Sequence, residues 1–309
     1  MEEVSFVTVA AIALLNLGFA VLVGAAVTDW QLTGSQGPWG RQQRLLVARW
    51  QTGAMVWVGL LLLVVLVLEA AAMAELPVTQ AGPALWPLII STHFGHGWLV
   101  SIAALCLLPT LQRVGQRWGI GARLGWLSLL VFALSRSAVS HAVADGMLSW
   151  PFVIETAHLL LVSVWVGEVM LSALVVLRRR GSTLSADRLA QSGYVQSLSA
   201  SATVALAGIV LTGAISSWRG AGTLAGLQGN AWAQWLTLKL LLVALAVILG
   251  AINRWWAMPP LLASLRTDAS VSALWQRRFK RLLQLEAALL AAVLAVAALL
   301  CSTAPPAAL

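Results

Sequence analysis

Four histidines occur in the 309-residue chain, and their spacing is suited to a metal site. His93 and His96 lie three positions apart in the stretch "THFGHG", which on a helix places both imidazoles on one face. His158 follows Glu155 at the same spacing, and His141 lies between the two pairs. Imidazole is a good ligand for copper and other transition ions. We therefore predict that the four histidines are metal ligands; hydrogen bonding between helices is the alternative for any one of them.

Glu155 is predicted to support His158 rather than to bind the metal directly. A carboxylate beside a metal-bound imidazole can fix the tautomer and orientation of the ring. Sulfur-bearing side chains are soft metal ligands and could serve as accessory ligands for an arriving ion; an inert buried thiol and ordinary loop or core methionines are the alternatives. Three such residues belong to segments near the predicted site: Cys301, Met73 and Met147.

Two ionisable residues in other apolar stretches, Glu168 and Lys239, are candidates for an ion or proton path. Charged groups within a membrane are costly and usually face the interior of the bundle. The alternative is that both are paired inside the bundle or reach towards an interface with their polar ends. The sequence leaves both interpretations open.

Composition indicates which elements must position these residues. The chain is 60% hydrophobic and only 10% charged, whereas soluble domains average about 25% charged residues. Runs such as "LLLLVVLVLEAAA" and "LLLVALAVILGA" belong to segments long enough to cross a hydrocarbon layer of about 30 Å. A net charge of +8 in such a chain is a matter of membrane orientation and does not indicate nucleic-acid binding.

The fold class predicted is all-α, a polytopic transmembrane bundle of about eight helices forming one integral membrane domain over residues 1–309. The start "MEEVSF" is acidic where a signal peptide would be basic, so we expect the first helix to remain. The predicted spans are 4–27, 48–70, 85–109, 121–141, 151–177, 196–218, 232–257 and 280–302.

Positive charge alternates between the loops. Sixteen of the nineteen lysines and arginines lie in or beside the odd-numbered loops. Because cytoplasmic loops carry the excess of lysine and arginine, we expect a multi-pass protein of the bacterial inner membrane with both termini in the periplasm. All four histidines then fall in the periplasmic half of the bundle.

Several segments, taken in order, resemble the copper resistance protein D family. "THFGHGWL" is similar to the family's Thr-x-Phe-Gly-x-x-Trp-Leu segment, and "SHAVADG" followed by "IETAHLLLVSVWVGEVML" resembles its His-Ala segment and acidic-x-x-His-Leu helix. "LTLKLLLVALAVILGAINR" and "LEAALLAAVLAVAALLCSTAPP" are like its last two helices. The resemblance covers about residues 85–306, and the first two helices match only in character. It carries His141, Glu155 and His158 onto the family pattern, whereas His93 and His96 occupy variable positions.

The resemblance implies a copper ion, Cu(I) or Cu(II), as the bound species and copper uptake from the periplasm as the function. A periplasmic copper-binding donor would be a separate protein, because no such domain is recognisable in the chain. No nucleotide-binding or phosphorylation motif is present, so we expect neither direct ATP coupling nor enzymatic activity. Nucleic acid is not an expected partner.

Two other classes of protein remain possible on the sequence alone. A transmembrane electron carrier would bind a b-type haem through histidines of two facing helices, with His93 or His96 opposite His158. No second histidine pair occurs in the cytoplasmic half, and histidines three residues apart would leave one ligand unused. A structural membrane subunit without a ligand of its own is the third interpretation.

Overall fold

A computed structural model describes residues 2–35, 37–117, 119–139, 149–177, 185–223, 225–267 and 269–308. Within these ranges the regular structure is helical. The α-helices are α1 (Glu2–Leu32), α2 (Pro38–Met73), α3 (Gly82–Ser91), α4 (His93–Arg117), α5 (Gly121–Ser137), α6 (Trp150–Leu171), α7 (Ser185–Ala221), α8 (Ala231–Ile252), α9 (Met258–Thr267) and α10 (Ala269–Cys301). Short π-helical turns follow α6 and α8 at Ser172–Val176 and Asn253–Ala257.

Within the described ranges, seven helical segments are long and apolar enough to cross a membrane. The predicted class, an all-α membrane bundle, is confirmed. Helix α5 has 17 residues and is shorter than each of these seven segments. It packs along α4. The count of eight and the location of the termini stay predictions. The seven segments are Phe6–Leu32, Pro38–Met73, His93–Gly115, Trp150–Val176, Ser185–Ala221, Ala231–Arg266 and Leu274–Cys301.

The predicted third span, 85–109, was wrong as one continuous helix. The helix is interrupted at Thr92, whose backbone is extended (φ −120°, ψ 151°). The Thr92 hydroxyl accepts a hydrogen bond from Gly95 N at 3.0 Å, which caps the first turn of α4. A side chain on Gly95 would collide with the backbone of Leu88 and Ile89 in α3. The "THFGHG" stretch is therefore a tight helix-to-helix junction, and His93 is the first residue of α4.

The long helices end at two faces of the bundle. At one face the Asp187 carboxylate at the start of α7 accepts a hydrogen bond from Trp39 N at the start of α2 (3.2 Å). Gln276 of α10 donates to Gln191 of α7 at 3.1 Å. We call this end, where α2, α7 and α10 begin, the basic face; it carries Arg41, Arg44, Arg188, Arg277 and Arg281. The opposite face is the end where α2 and α10 finish and α4 begins.

Helix α1 lies at the centre of the bundle and packs against α2, α6 and α10. Its Leu15, Phe19 and Leu22 are almost completely buried. Gly24 of α1 and Gly167 of α6 bring the two backbones into direct contact, because a Cβ on either would overlap backbone atoms of the other helix. Small residues commonly permit such close helix crossings in membranes. This crossing fixes α6, which bears the main candidate residues.

Candidate metal site

His158 is held by one hydrogen bond that also decides which ring nitrogen is available. Its Nδ1 lies 2.8 Å from the Thr212 hydroxyl of α7. That hydroxyl also lies 2.7 Å from the Gly208 carbonyl, which can only accept. When the hydroxyl donates to this carbonyl, it accepts from His158. A hydroxyl has only one proton to donate, and we infer that Nδ1 carries the imidazole proton. The Nε2 lone pair is then left for a metal, the usual arrangement for a ligating histidine.

The hydrogen-bond partner of His158 Nδ1 comes from another helix, and the supporting role expected of Glu155 stays a prediction. The Nδ1 partner of His158 is Thr212 from another helix, whereas Glu155 lies one turn earlier on α6 and is half-buried. Glu155 lies within electrostatic range of Cys301 at the end of α10. Lys239 of α8 is within electrostatic range of both His158 and Cys301. The four helices α6, α7, α8 and α10 thus bring polar groups together near the opposite face.

His96 is tied to the preceding short helix. Its Nε2 lies 3.1 Å from the Ile90 carbonyl, which can only accept, so Nε2 bears the proton and Nδ1 the lone pair. Ile90 is near the end of α3, where carbonyls have no helical partner. His93 and His96 are both exposed on the protein surface, in the first turn of α4.

A small cavity of about 10 Å³ lies between the start of α4 and the end of α5. Gly97 and Ser101 of α4 and Arg136 and Val139 of α5 contribute to its lining. Such a volume has room for about one water molecule. The cationic side chain of Arg136 therefore lines a cavity next to the first turn of α4, which carries His93 and His96.

The described residues do not show the predicted convergence of ligands. Among them, no group of three His, Cys, Asp or Glu side chains is arranged to hold a metal ion. His141 and Met147 lie outside the described residues. Met73, the last residue of α2, is exposed, and Cys301 is a free, exposed thiol. The four-histidine site therefore stays a prediction.

A second set of polar contacts runs along α6 towards the basic face. Trp165 donates its indole N–H to Glu286 of α10 at 3.1 Å. Glu168 accepts hydrogen bonds from the Ser201 hydroxyl of α7, at 2.7 Å to Oε2, and from Gln31 of α1. The predicted path residue Glu168 is therefore bonded to neutral groups of two other helices.

Sequence reasoning missed Thr212, Ser201 and Gln31. Each is a common polar residue in a helix, and only the packing of α7 or α1 against α6 gives it a partner. Threonine and serine usually bond to their own helix backbone, so their residue type does not distinguish them. A signal was present in the spacing of Ser201 and Thr212, which are eleven residues apart and share one face of α7.

Comparison with known families shows what class of protein this bundle is. Residues 192–300 match the family described as copper resistance protein D. Residues 1–150 match the N-terminal domain described as copper resistance protein D-like. The chain therefore belongs to the copper resistance protein D family. No curated protein and no solved structure matches the chain.

The extent of these matches refines the resemblance inferred from the sequence motifs. The match begins at residue 1, so the first two helices are included in it. His93, His96 and His141 lie in the N-terminal match and Lys239 in the C-terminal one. Residues 151–191, with Glu155, His158 and Glu168, lie between the two matches. Family membership makes this a copper-related membrane protein, and the role of α6 must be argued from its geometry.

Proposed function

We propose that the protein binds copper in the periplasmic half of the bacterial inner membrane and carries it inward. Membership of the copper resistance family supports copper as the ion, and seven apolar helices support a multi-pass location. The single observation that supports a particular residue, His158, as a copper ligand is its hydrogen bond with Thr212. It leaves the Nε2 of a half-buried imidazole as a preformed ligand.

The orientation follows from the distribution of charge. Because positively charged helix ends remain in the cytoplasm, the basic face is cytoplasmic and the opposite face periplasmic. His93, at the start of α4, and Cys301, at the end of α10, then lie on the periplasmic side. Both termini are periplasmic in this arrangement. The whole chain, 1–309, acts as one integral membrane domain.

The proposed site combines His158 with the histidines near the start of α4. Val139 at the end of α5 packs against Gly97, next to His96, because a Cβ on Gly97 would lie 2.6 Å from the Val139 side chain. His141 follows Val139 by two residues in the sequence. We propose His93, His96, His141 and His158 as copper ligands.

Soft accessory ligands would favour Cu(I) on its way to the histidines. Cys301 is exposed at the end of α10, and Met73 is exposed at the end of α2. Met147 is proposed for the same role from its sequence position. Copper would arrive from a separate periplasmic binding protein, since thiolate and thioether groups at the entrance suit exchange of Cu(I) between proteins. Family membership lends no support to the haem alternative, and we propose transport rather than catalysis.

Copper binding to purified protein in lipid nanodiscs tests the proposed ligand. His158→Ala should lose copper binding, because it removes the Nε2 ligand. Thr212→Val keeps the side-chain shape but removes the Nδ1 partner, and should weaken copper affinity by about 10–100-fold. Copper content by elemental analysis and affinity by competition with a chelator of known strength are the measurements.

Thr237→Val is the matched control for Thr212→Val. The Thr237 hydroxyl bonds to the Ala233 carbonyl of its own helix at 2.8 Å, so its loss should leave copper affinity unchanged. Wild-type protein that binds no copper would refute the proposed function. Wild-type affinity in His158→Ala would instead refute the site, and equal weakening in both threonine variants would refute the role of Thr212.

A further inference from the structure

Three hydrogen-bonded pairs connect α6 and α7 at successive depths, and we call them the α6–α7 seam. They are His158 with Thr212 at 2.8 Å, Glu168 with Ser201 at 2.7 Å, and Ser172 with Tyr194 at 2.6 Å. His158 on α6 and Ser172 in the π-helical turn that continues it are fourteen residues apart, about 21 Å along the axis at 1.5 Å per residue. The seam therefore follows the bundle from near the opposite face towards the basic face.

The seam is interrupted between its first and second pairs. Leu161 packs against Gly208, where a Cβ would lie 2.6 Å from Leu161 Cδ1. Ala205, which is buried, follows on the same helix. Apolar side chains thus separate the His158 pair from the Glu168 pair. The two ends of the seam are distinct sites rather than one continuous chain of polar groups.

Glu168 is a fully buried carboxyl whose hydrogen-bond partners are neutral groups. Its exposed fraction is 0%, and its bonds come from the Ser201 hydroxyl and the Gln31 amide. Within the part of the chain that the structure describes, no basic side chain forms an ion pair with Glu168. A lone charge in such a site is expensive.

The surroundings of Glu168 can serve both protonation states. In the ionised state Gln31 Nε2 and Ser201 donate to the carboxylate. Gln31 Oε1 is a buried atom with no hydrogen-bond partner among the described residues. A rotation of the Gln31 amide would present Oε1 as acceptor for the O–H of a protonated Glu168. This unused acceptor beside a buried carboxyl points to a proton as the ligand.

The other polar and titratable groups near Glu168 have hydrogen-bond partners of their own and do not replace Glu168 as the proton-binding group. From α7, the Tyr194 hydroxyl lies within its electrostatic range and is bonded to Ser172. From α10, Glu286 is bonded to Trp165, one turn away on α6. Helix α1 presents the neutral Gln31. An all-oxygen and amide environment of this kind is a poor match for Cu(I), which selects sulfur and imidazole.

We propose that Glu168 is a proton-binding site coupled to copper movement through the bundle. The Glu168 carboxylate takes one proton from water on one side of the membrane and releases it to water on the other as copper leaves the His158 site. The only bond that forms or breaks is the O–H bond of the Glu168 carboxyl. The copper ion at His158 and the proton at Glu168 balance the charge of these two sites. This inference rests on the proposed copper transport, and the experiment below separates the two.

Proteoliposomes with a pH-sensitive dye and a copper indicator inside test the coupling. Wild-type protein should show a proton flux that starts with copper addition. Glu168→Gln, which cannot bind a proton at this position, should lose that flux at least tenfold while keeping copper bound at the histidines. Glu168→Asp should retain it. The matched control is Glu286→Gln, a buried carboxyl of the same bundle that should keep copper-dependent proton flux.

A spectroscopic readout covers the case in which Glu168→Gln does not assemble. Infrared difference spectra of wild-type protein should show a protonated-carboxyl band that changes on copper addition. Ser201→Ala, which removes the donor to both carboxylate oxygens, should move the pH midpoint of that band upward by about one unit, a tenfold change in proton affinity. An unchanged midpoint would count against Glu168 as the group observed.

The outcomes separate the inference from the function on which it rests. No copper flux in wild-type vesicles would refute transport. Copper flux without proton flux, or coupling that survives Glu168→Gln, would refute the inference while leaving copper transport in place. Loss of coupling in both Glu168→Gln and Glu286→Gln would also refute it, because the proton would then have no single site.

Discussion

Gly167→Ala should separate α1 from α6 and destabilise the bundle. A Cβ at Gly167 would overlap the Ala20 carbonyl and lie 2.8 Å from Gly24 Cα. These are backbone atoms, so the helices must move apart by about 1 Å, and a gap of that size forfeits up to half of each van der Waals contact. Overpacking of this kind costs about 1–3 kcal/mol. Alanine recovers about 1 kcal/mol of helix propensity, leaving a net loss of about 2 kcal/mol in the worst case.

Thermal unfolding in detergent, followed by tryptophan fluorescence, measures this change. A loss of about 2 kcal/mol corresponds to an apparent Tm lower by roughly 4–8 °C. Gly53→Ala in α2 is the matched control, because no atom lies within 4 Å of its Cβ position. That variant should be as stable as the wild type or slightly more stable. A Gly167→Ala protein as stable as Gly53→Ala would refute the tight α1–α6 contact.

Two further predictions concern the faces of the bundle. A reporter fused after Leu309 should be active in the periplasm, because the charge pattern places the C-terminus outside; cytoplasmic activity would overturn the proposed orientation. Asp187→Ala should lower stability by about 1–2 kcal/mol, since Asp187 supplies the side-chain cap that α2 lacks locally. Asp187→Asn retains an acceptor oxygen and should lose less, and equal melting temperatures for Asp187→Ala and the wild type would refute the capping role.

The class of fold could be predicted from the sequence because apolar length alone identifies membrane helices. The family could be inferred because the order of several weak motifs is more specific than any of them. The break at Thr92 could not be seen the same way. The stretch "PLIISTHFGHGWL" has no proline beside Thr92 to mark a break. The Thr92 hydroxyl also donates to the Leu88 carbonyl, a bond that threonine makes within continuous helices.

The candidate site was only partly predictable, because residue types mark ligands better than they mark their partners. His158 was identified from its chemistry, but its Nδ1 partner lies 54 positions away on α7. Glu155, at helical spacing, was the only partner that a sequence can suggest. Similarly, Glu168 was recognised as an ionisable group in an apolar helix, whereas the Gln31 and Ser201 bonds depend on how three helices pack.

Helices α2, α7 and α10 are longer than a membrane requires, and their extra residues lie at the basic face. Helices α2, α7 and α10 begin at residues 38, 185 and 269, each about ten residues before the apolar span predicted for it. Ten residues of helix rise about 15 Å, enough to pass the lipid headgroups. The Asp187–Trp39 and Gln276–Gln191 bonds join these extensions. The three extensions together form a stiff, positively charged layer at the basic face. Its attraction to anionic lipid is worth about 1 kcal/mol per basic residue, and this attraction fixes the depth of the protein in its bilayer.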